Sequence, residues 1–203
     1  MTRIFPMLAS FSLMLMGVAV LLGLTIGDLY ADPVVGETLV WATRHRLIGV
    51  AAALFVVLVE SIGVTYFIGT SRWCKEVTET YRLPPDDLAA STRLKRRSFP
   101  WLVLGMLAVV GVSALGAASD PGTGRPGTAW WADVHLAAAL GGICLIAWTY
   151  YRAWLNIAEN QQVIERIVAQ VRQIREERGL DSPPQNEPFA AGAGPALAYP
   201  LES

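Results

Sequence analysis

The chain has 203 residues, of which 53% are hydrophobic and only 16% are charged. A soluble domain usually carries about 25% charged residues, so this composition and its long apolar blocks exclude an ordinary soluble protein and indicate an integral membrane protein. The net charge of −1 gives no reason to expect a nucleic-acid partner.

Four apolar stretches are each long enough to cross a bilayer core of about 30 Å as a helix. Backbone groups cannot bond to water in lipid, and no stretch alternates like the strands of a barrel, so only helices fit. The predicted fold class is therefore all-α: a four-helix transmembrane bundle over residues 1–154 with cytoplasmic helical extensions. The predicted spans are residues 4–26, 47–69, 99–118 and 134–154.

The first span is interpreted as an uncleaved helix. A signal peptide is the alternative, because Arg3 precedes an apolar run. The apolar region of a signal peptide usually covers only about 7–15 residues, and this one is longer.

Lysine and arginine are distributed unevenly around these spans. Thirteen lie at the N-terminus, between the second and third spans, or after the fourth, and only Arg44, Arg46 and Arg125 lie on the other side. The positive-inside rule places the basic side in the cytoplasm. This predicts a multi-pass protein of the bacterial inner (plasma) membrane with both termini inside.

The second helix is expected to continue past the membrane. Trp73, Val77 and Tyr81 recur every four residues, which is the repeat of one helical face, and two prolines follow at Pro84 and Pro85.

A separate basic helix is expected next, capped by Asp86 or Asp87 and running through Arg97. Its cations can contact anionic headgroups, although plain topology-setting charge is the simpler interpretation. The third span then starts at Phe99, which places Pro100 in a first turn, where its missing N–H is tolerated.

The fourth helix is expected to run on over residues 155–178. Its apolar residues follow the a/d spacing of a short coiled coil, with one polar position at Asn160. Such a face can join two chains, or it can pack against the extension of the second helix. The remaining residues, 179–203, are rich in proline, glycine and small side chains and are predicted to be disordered. The apolar a/d residues are Ile157, Ile164, Ile167, Val171 and Ile174.

Small residues four positions apart suggest close helix packing. Such spacing serves either contacts inside one bundle or a specific oligomer face. The pairs are Gly23 with Gly27, Gly49 with Ala53, Ala114 with Ala118, and Ala138 with Gly142.

His45 and His135 are the two histidines of the chain, and both lie near the outer membrane surface by the predicted topology. Histidines on two different helices can ligate a b-type haem or share a metal ion. Arginines at the same level, Arg44, Arg46 and Arg125, can then meet the haem propionates. The alternative is a pair of solvated rim histidines. No spacing motif for a four-ligand metal site is present, so no protein-only metal site is predicted.

Glu60 lies within the second span, where an ionisable side chain is costly and must face protein or water. It can belong to a proton or ion pathway, or it can be a protonated carboxyl that holds helices together. On the fourth span, Trp148 and Thr149 lie at a matching depth and Tyr150 and Tyr151 follow, and any of these can donate a hydrogen bond to it. Because no nucleophile, base and orienting group can be combined, no catalytic residue is predicted.

The segment from Tyr66 to Trp73, with the sequence YFIGTSRW, resembles a signature of small, uncharacterised bacterial polytopic membrane proteins. The resemblance implies no activity, cofactor or site residue.

Taken together, the sequence favours a non-enzymatic accessory or assembly component of a membrane complex. Its expected partners are the lipid bilayer and a membrane protein or a second copy of the chain. A haem or metal-binding redox protein using His45 and His135, and a small transporter or proton pathway through Glu60, are the alternatives.

Overall fold

The computed structural model describes residues 1–180. Their chain forms four long helices joined by short connections, which places neighbouring helices antiparallel. This confirms the all-α fold and the helical bundle. The predicted tail lies outside the described residues from position 181 onward. The helices are α1 (Ile4–Leu24), α2 (Gly36–Tyr81), α3 (Asp86–Ser119) and α4 (Thr128–Glu177).

Each of the four helices is long and apolar enough to cross a membrane. Large aliphatic side chains also face outward: Leu47, Leu54 and Leu107 are each more than 60% exposed. Water would make such a continuous apolar surface an aggregation hazard, whereas lipid solvates it. Length, composition and surface therefore all indicate a membrane protein. We call the end of the bundle that carries His45 and His135 the histidine end, and the opposite end the basic end.

Helix α2 runs well beyond its predicted span at both ends. It begins at Gly36 and continues to Tyr81, which confirms the predicted extension past residue 69. Arg82 then adopts the left-handed conformation with φ 55°, and its N–H bonds to the Thr78 carbonyl. Pro84 follows and cannot continue a helix.

The prediction of a separate basic helix before the third span is wrong. Helix α3 is continuous from Asp86 to Ser119, so Pro100 lies inside it and not in a first turn. The proline removes one backbone hydrogen bond, but Leu94 and Leu102 are buried on either side of it, so packing holds the helix in place. Neither aspartate caps α3, because Pro85 occupies the N-cap position. Asp87 instead accepts hydrogen bonds from Arg166 and Gln170 of α4, at 2.8 and 3.0 Å.

The a/d face of the α4 extension is covered within the chain itself. Ile157 and Ile167 are fully buried, and Ile164, Val171 and Ile174 pack against the same core. The pairing of Arg166 with Asp87 ties this extension to α3. Of the two alternatives for the a/d pattern, the geometry favours packing inside one chain.

Asn160 is the polar centre of this extension. It is fully buried, its Nδ2 donates to the hydroxyls of Tyr66 and Thr70 at 3.3 and 3.0 Å, and its Oδ1 accepts from Ser91 at 3.0 Å. One side chain therefore joins α2, α3 and α4. Nearby Cys74 is fully buried, and burial raises the pKa of its thiol above the usual value.

Asn160→Ala is expected to destabilise the basic end by about 2 kcal/mol, because the hydroxyls of Tyr66, Thr70 and Ser91 lose their shared partner. In a Cys144→Ala background, Cys74 alkylation by a water-soluble maleimide should then accelerate roughly 30-fold through local opening. Gln162→Ala, an exposed site on the same helix, is the control. Equal alkylation rates in the Asn160 variant and the wild type would contradict the prediction.

Candidate functional site

The structure brings the two histidines together across the bundle. His45 of α2 and His135 of α4 have ring centroids 6.1 Å apart, and their ring planes make an angle of 75°. Both side chains are half-buried. Ninety residues separate them in sequence, so the pairing is a product of the fold.

A glycine on the neighbouring helix makes room for each imidazole. A Cβ at Gly23 of α1 would lie 3.0 Å from His45 Cε1, and one at Gly116 of α3 would lie 2.9 Å from His135 Cε1. A contact as short as the one at Gly116 is essentially never seen for a real Cβ, and the one at Gly23 is tighter than nine in ten real contacts. In these positions, each ring packs closely against a helix neighbour that has no side chain.

The Nδ1 atoms of the two rings are held differently. His45 Nδ1 donates to the Ala19 carbonyl oxygen at 2.8 Å, which leaves Nε2 as the unprotonated nitrogen when the ring is neutral. His135 Nδ1 is buried and has no hydrogen-bond partner in the described part of the chain. The backbone of Val112 approaches it, but outside hydrogen-bond geometry. In both cases the facing backbone group lies one helical turn before the glycine.

This correspondence extends along the bundle, because the hairpin α1–α2 repeats in the hairpin α3–α4. Most buried positions of α1 recur 93 residues later in α3, and those of α2 within the span recur 90 residues later in α4. Some contacts between helices correspond as well: Gly105 faces Glu60 where Ser12 contacts Tyr150, and a glycine faces each histidine. Matching pairs include Ser12 with Gly105, Met16 with Val109, Gly23 with Gly116, His45 with His135, Val56 with Ile146, and Glu60 with Tyr150.

The arginines at the histidine end do not converge on the histidines. Arg46 forms a bidentate pair with Asp120, through Nε and Nη2, both at 2.9 Å. This pair ties α2 to the segment after α3. Arg44 stacks on Trp41, with its guanidinium carbon 4.8 Å from the ring centroid, and Arg125 is exposed in the loop before α4. Arg44 and Arg125 therefore remain without an acidic partner among the described ion pairs.

Glu60 forms a second polar layer, fifteen residues along α2 and about 22 Å from the histidine level by helix rise. The side chain is fully buried, and its Oε1 accepts a 2.7 Å hydrogen bond from Thr149 of α4. Its Oε2 has no partner among the described residues. A buried charge without a cation is costly, so this environment stabilises the neutral acid.

Gly105 of α3 leaves room for the Glu60 carboxyl group because it has no side chain. A Cβ there would overlap Glu60 Oε1 and would lie 3.0 Å from Thr149 Oγ1. On the opposite side of the bundle, the hydroxyls of Tyr150 and Ser12 lie 2.9 Å apart. Of the four side chains on the fourth span that could donate to Glu60, Thr149 is the one that does so.

A transport pathway through Glu60 gains no support from this geometry. The carboxyl group is sealed among buried side chains, and two open cavities on the described residues lie elsewhere, beside Arg96 of α3. Towards the basic end, Leu102 packs onto Gly63, where a Cβ would lie 2.7 Å from Leu102 Cδ2. Glu60 therefore acts here as a contact between three helices.

The sequence pointed to both histidines and Glu60, and to Gly23 only as a helix-packing residue, but not to Gly105 or Gly116. Gly105 and Gly116 carry no motif, because their role depends on side chains from other helices. A comparison of the chain with itself at an offset of about 90 residues would have aligned the two glycine–histidine pairs.

No family model, no curated protein and no solved structure matches the chain. The site therefore has to be interpreted from its own geometry and chemistry.

Proposed function

We propose that this protein is a b-type haem protein of the membrane, with His45 and His135 as the two axial ligands. The observation that carries the proposal is the 6.1 Å separation of the two imidazole centroids. A metal–imidazole bond is about 2 Å long and the ring nitrogen lies roughly 1 Å from the ring centre, so two imidazoles on opposite sides of one metal have centroids about 6 Å apart.

The orientation of the rings also suits this role. Axial imidazoles can take any rotation about the metal–nitrogen axis, so an angle of 75° between their planes is acceptable. A ligating histidine commonly donates its other N–H to a backbone carbonyl, which fixes the tautomer. The hydrogen bond from His45 Nδ1 to Ala19 supports this assignment, since it leaves Nε2 available for a metal.

The donor set favours haem over a bare metal ion. No group of three or more His, Cys, Asp and Glu side chains that could hold a metal is present among residues 1–180. Structural zinc needs four protein ligands, whereas haem iron needs at most two because the porphyrin supplies the others. Two histidines on facing helices therefore fit haem iron better than a structural zinc ion.

A bound haem supplies one-electron redox chemistry. The chain itself contributes the two histidines and the glycines that leave room for them, Gly23 and Gly116, which we call the glycine seats. It also contributes an apolar bundle that excludes water. With the topology inferred from the 13-to-3 distribution of basic residues, the site lies towards the outside of a bacterial inner membrane and both termini lie inside.

Such a protein can serve as the electron-carrying subunit of a larger membrane complex, which retains the predicted accessory role. A partner protein and a homo-oligomer remain predictions. The resemblance of residues 66–73 to a family of small bacterial membrane proteins is compatible with this proposal and names no activity.

The test is the visible spectrum of the protein purified in mild detergent from cells that make haem. We expect a reduced-minus-oxidised spectrum of low-spin, six-coordinate haem and about one haem per chain by extraction. A preparation without haem that also fails to bind added hemin would overturn the proposal. Zinc or copper bound in stoichiometric amount, with no haem, would replace it by a metal site.

A further inference from the structure

A cluster of cations lies on α3 where the helix enters its apolar stretch. Four basic residues occur within five positions, and none of them forms an ion pair within the described residues. The only acidic residues of α3 are at its start, and Asp87 is already paired with Arg166 of α4. The cluster consists of Arg93, Lys95, Arg96 and Arg97.

On the neighbouring extension of α2, by contrast, two cations are paired with glutamates. Arg72 pairs with Glu76 at 2.8 Å, and Lys75 lies 3.8 Å from Glu79, each one helical turn away. On α3 the residues one turn from Arg93 are Arg96 and Arg97, which repel it at that spacing. The cluster therefore lacks anions that the fold supplies elsewhere at the same end.

An open groove lies beside the cluster, between α2 and α3. It has a volume of about 370 Å³ and is lined by Lys95, Arg96, Phe99 and Pro100 of α3 and by Ile68 of α2. Phe99 and Ile68 are 45% and 52% exposed, so their apolar surfaces face outward. The groove thus joins a cationic end to an apolar wall that continues into the membrane-spanning part of α3.

We propose that this groove binds an anionic phospholipid, with its phosphate at Lys95 and Arg96 and an acyl chain along Phe99 and Ile68. A soluble acidic partner would use the cations but not the apolar wall, and a neutral lipid would use only the wall. The combination fits a lipid with a net negative headgroup. The proposed topology determines only which leaflet supplies this lipid, and it places the groove in the cytoplasmic leaflet. The inference does not depend on haem.

The experiment measures lipid retained by the intact chain. The protein is placed in nanodiscs of phosphatidylcholine with 20% phosphatidylglycerol, transferred to detergent, and analysed by native mass spectrometry. Wild type is expected to retain phosphatidylglycerol in preference to phosphatidylcholine. The double variant Lys95→Gln/Arg96→Gln is expected to lose that preference by at least about tenfold, since it removes two charges at the headgroup.

The matched control is Arg72→Gln/Lys75→Gln, which removes the same charge from the same end of the bundle. It should retain the preference, because those cations are already paired with glutamates. Equal losses in the two double variants, or equal retention of the two lipids by the wild type, would overturn the proposal. Full displacement of the lipid by millimolar inorganic phosphate would also overturn it, because the site would then be one for a free anion. Circular dichroism confirms that both variants remain helical.

Discussion

His135→Ala is expected to abolish the low-spin haem spectrum of the purified protein. The substitution removes one of two axial ligands, and no other histidine is present to replace it. His45→Ala should have the same effect for the same reason. The measurement is the reduced-minus-oxidised visible spectrum together with the haem content per chain. Retention of a wild-type spectrum in either variant would exclude that residue as a ligand.

Free imidazole distinguishes a ligand from a structural side chain. In His135→Gly, the space left by the ring is expected to admit added imidazole, which should restore the low-spin spectrum. A variant that has merely unfolded would not recover. Because chemical rescue requires an intact site, it separates the loss of a ligand from a loss of the fold.

The glycine seats give a matched comparison for the same site. Gly116→Ala and Gly23→Ala place a Cβ against His135 and His45, so haem affinity is expected to fall roughly 10- to 100-fold, as for other groups that orient metal ligands. Gly111→Ala and Gly17→Ala change the same helices at positions with no neighbouring atom within 4 Å. These two controls should bind haem like the wild type, and equal effects at all four positions would contradict the interpretation.

Gly105→Ala is expected to destabilise the bundle by about 3 kcal/mol. The new methyl group would overlap the Glu60 carboxyl group and break its hydrogen bond with Thr149, in the centre of the fold. The unfolding free energy is measured by titration with sodium dodecyl sulfate in mixed micelles, followed by circular dichroism. Gly111→Ala, six residues away on the same helix, meets no neighbouring atom and should leave the free energy of unfolding unchanged or raise it by up to about 1 kcal/mol.

A double-mutant cycle shows whether the effect arises at Glu60. Combining Gly105→Ala with Glu60→Ala removes the group with which the methyl clashes, so the double variant should be markedly more stable than the sum of the single effects predicts. Simple additivity of the two changes would show that Gly105 acts through another contact.

The helices were predictable because their signals are local. Each apolar run identifies a span without reference to the others, and the four-residue repeat from Trp73 to Tyr81 identified the extension of α2. The same local reasoning failed at Pro100, which is a helix-breaking residue by propensity. There the continuity of α3 is maintained by packing on both sides of the proline, and Leu94 and Leu102 are both buried.

The candidate site was predictable only in part. A histidine or glutamate in an apolar span is conspicuous in any sequence, so His45, His135 and Glu60 were found. Their neighbours Gly23, Gly105 and Gly116 are ordinary in membrane helices and gain a role only from side chains far away in sequence. Such contacts depend on the register between helices, which a hydropathy pattern does not encode.

The correspondence between the two hairpins has a consequence for how the surroundings of His45 and His135 can change. In a symmetric dimer, one substitution changes the surroundings of both histidines. In this single chain, the surroundings of His45 and of His135 can be changed one at a time. They already differ, since His45 has a carbonyl acceptor at Ala19 and His135 Nδ1 has none among the described residues. A hydrogen bond at Nδ1 makes an imidazole a stronger electron donor. Under the proposed haem ligation, single substitutions near Val112 are therefore expected to shift the reduction potential without changing the surroundings of His45.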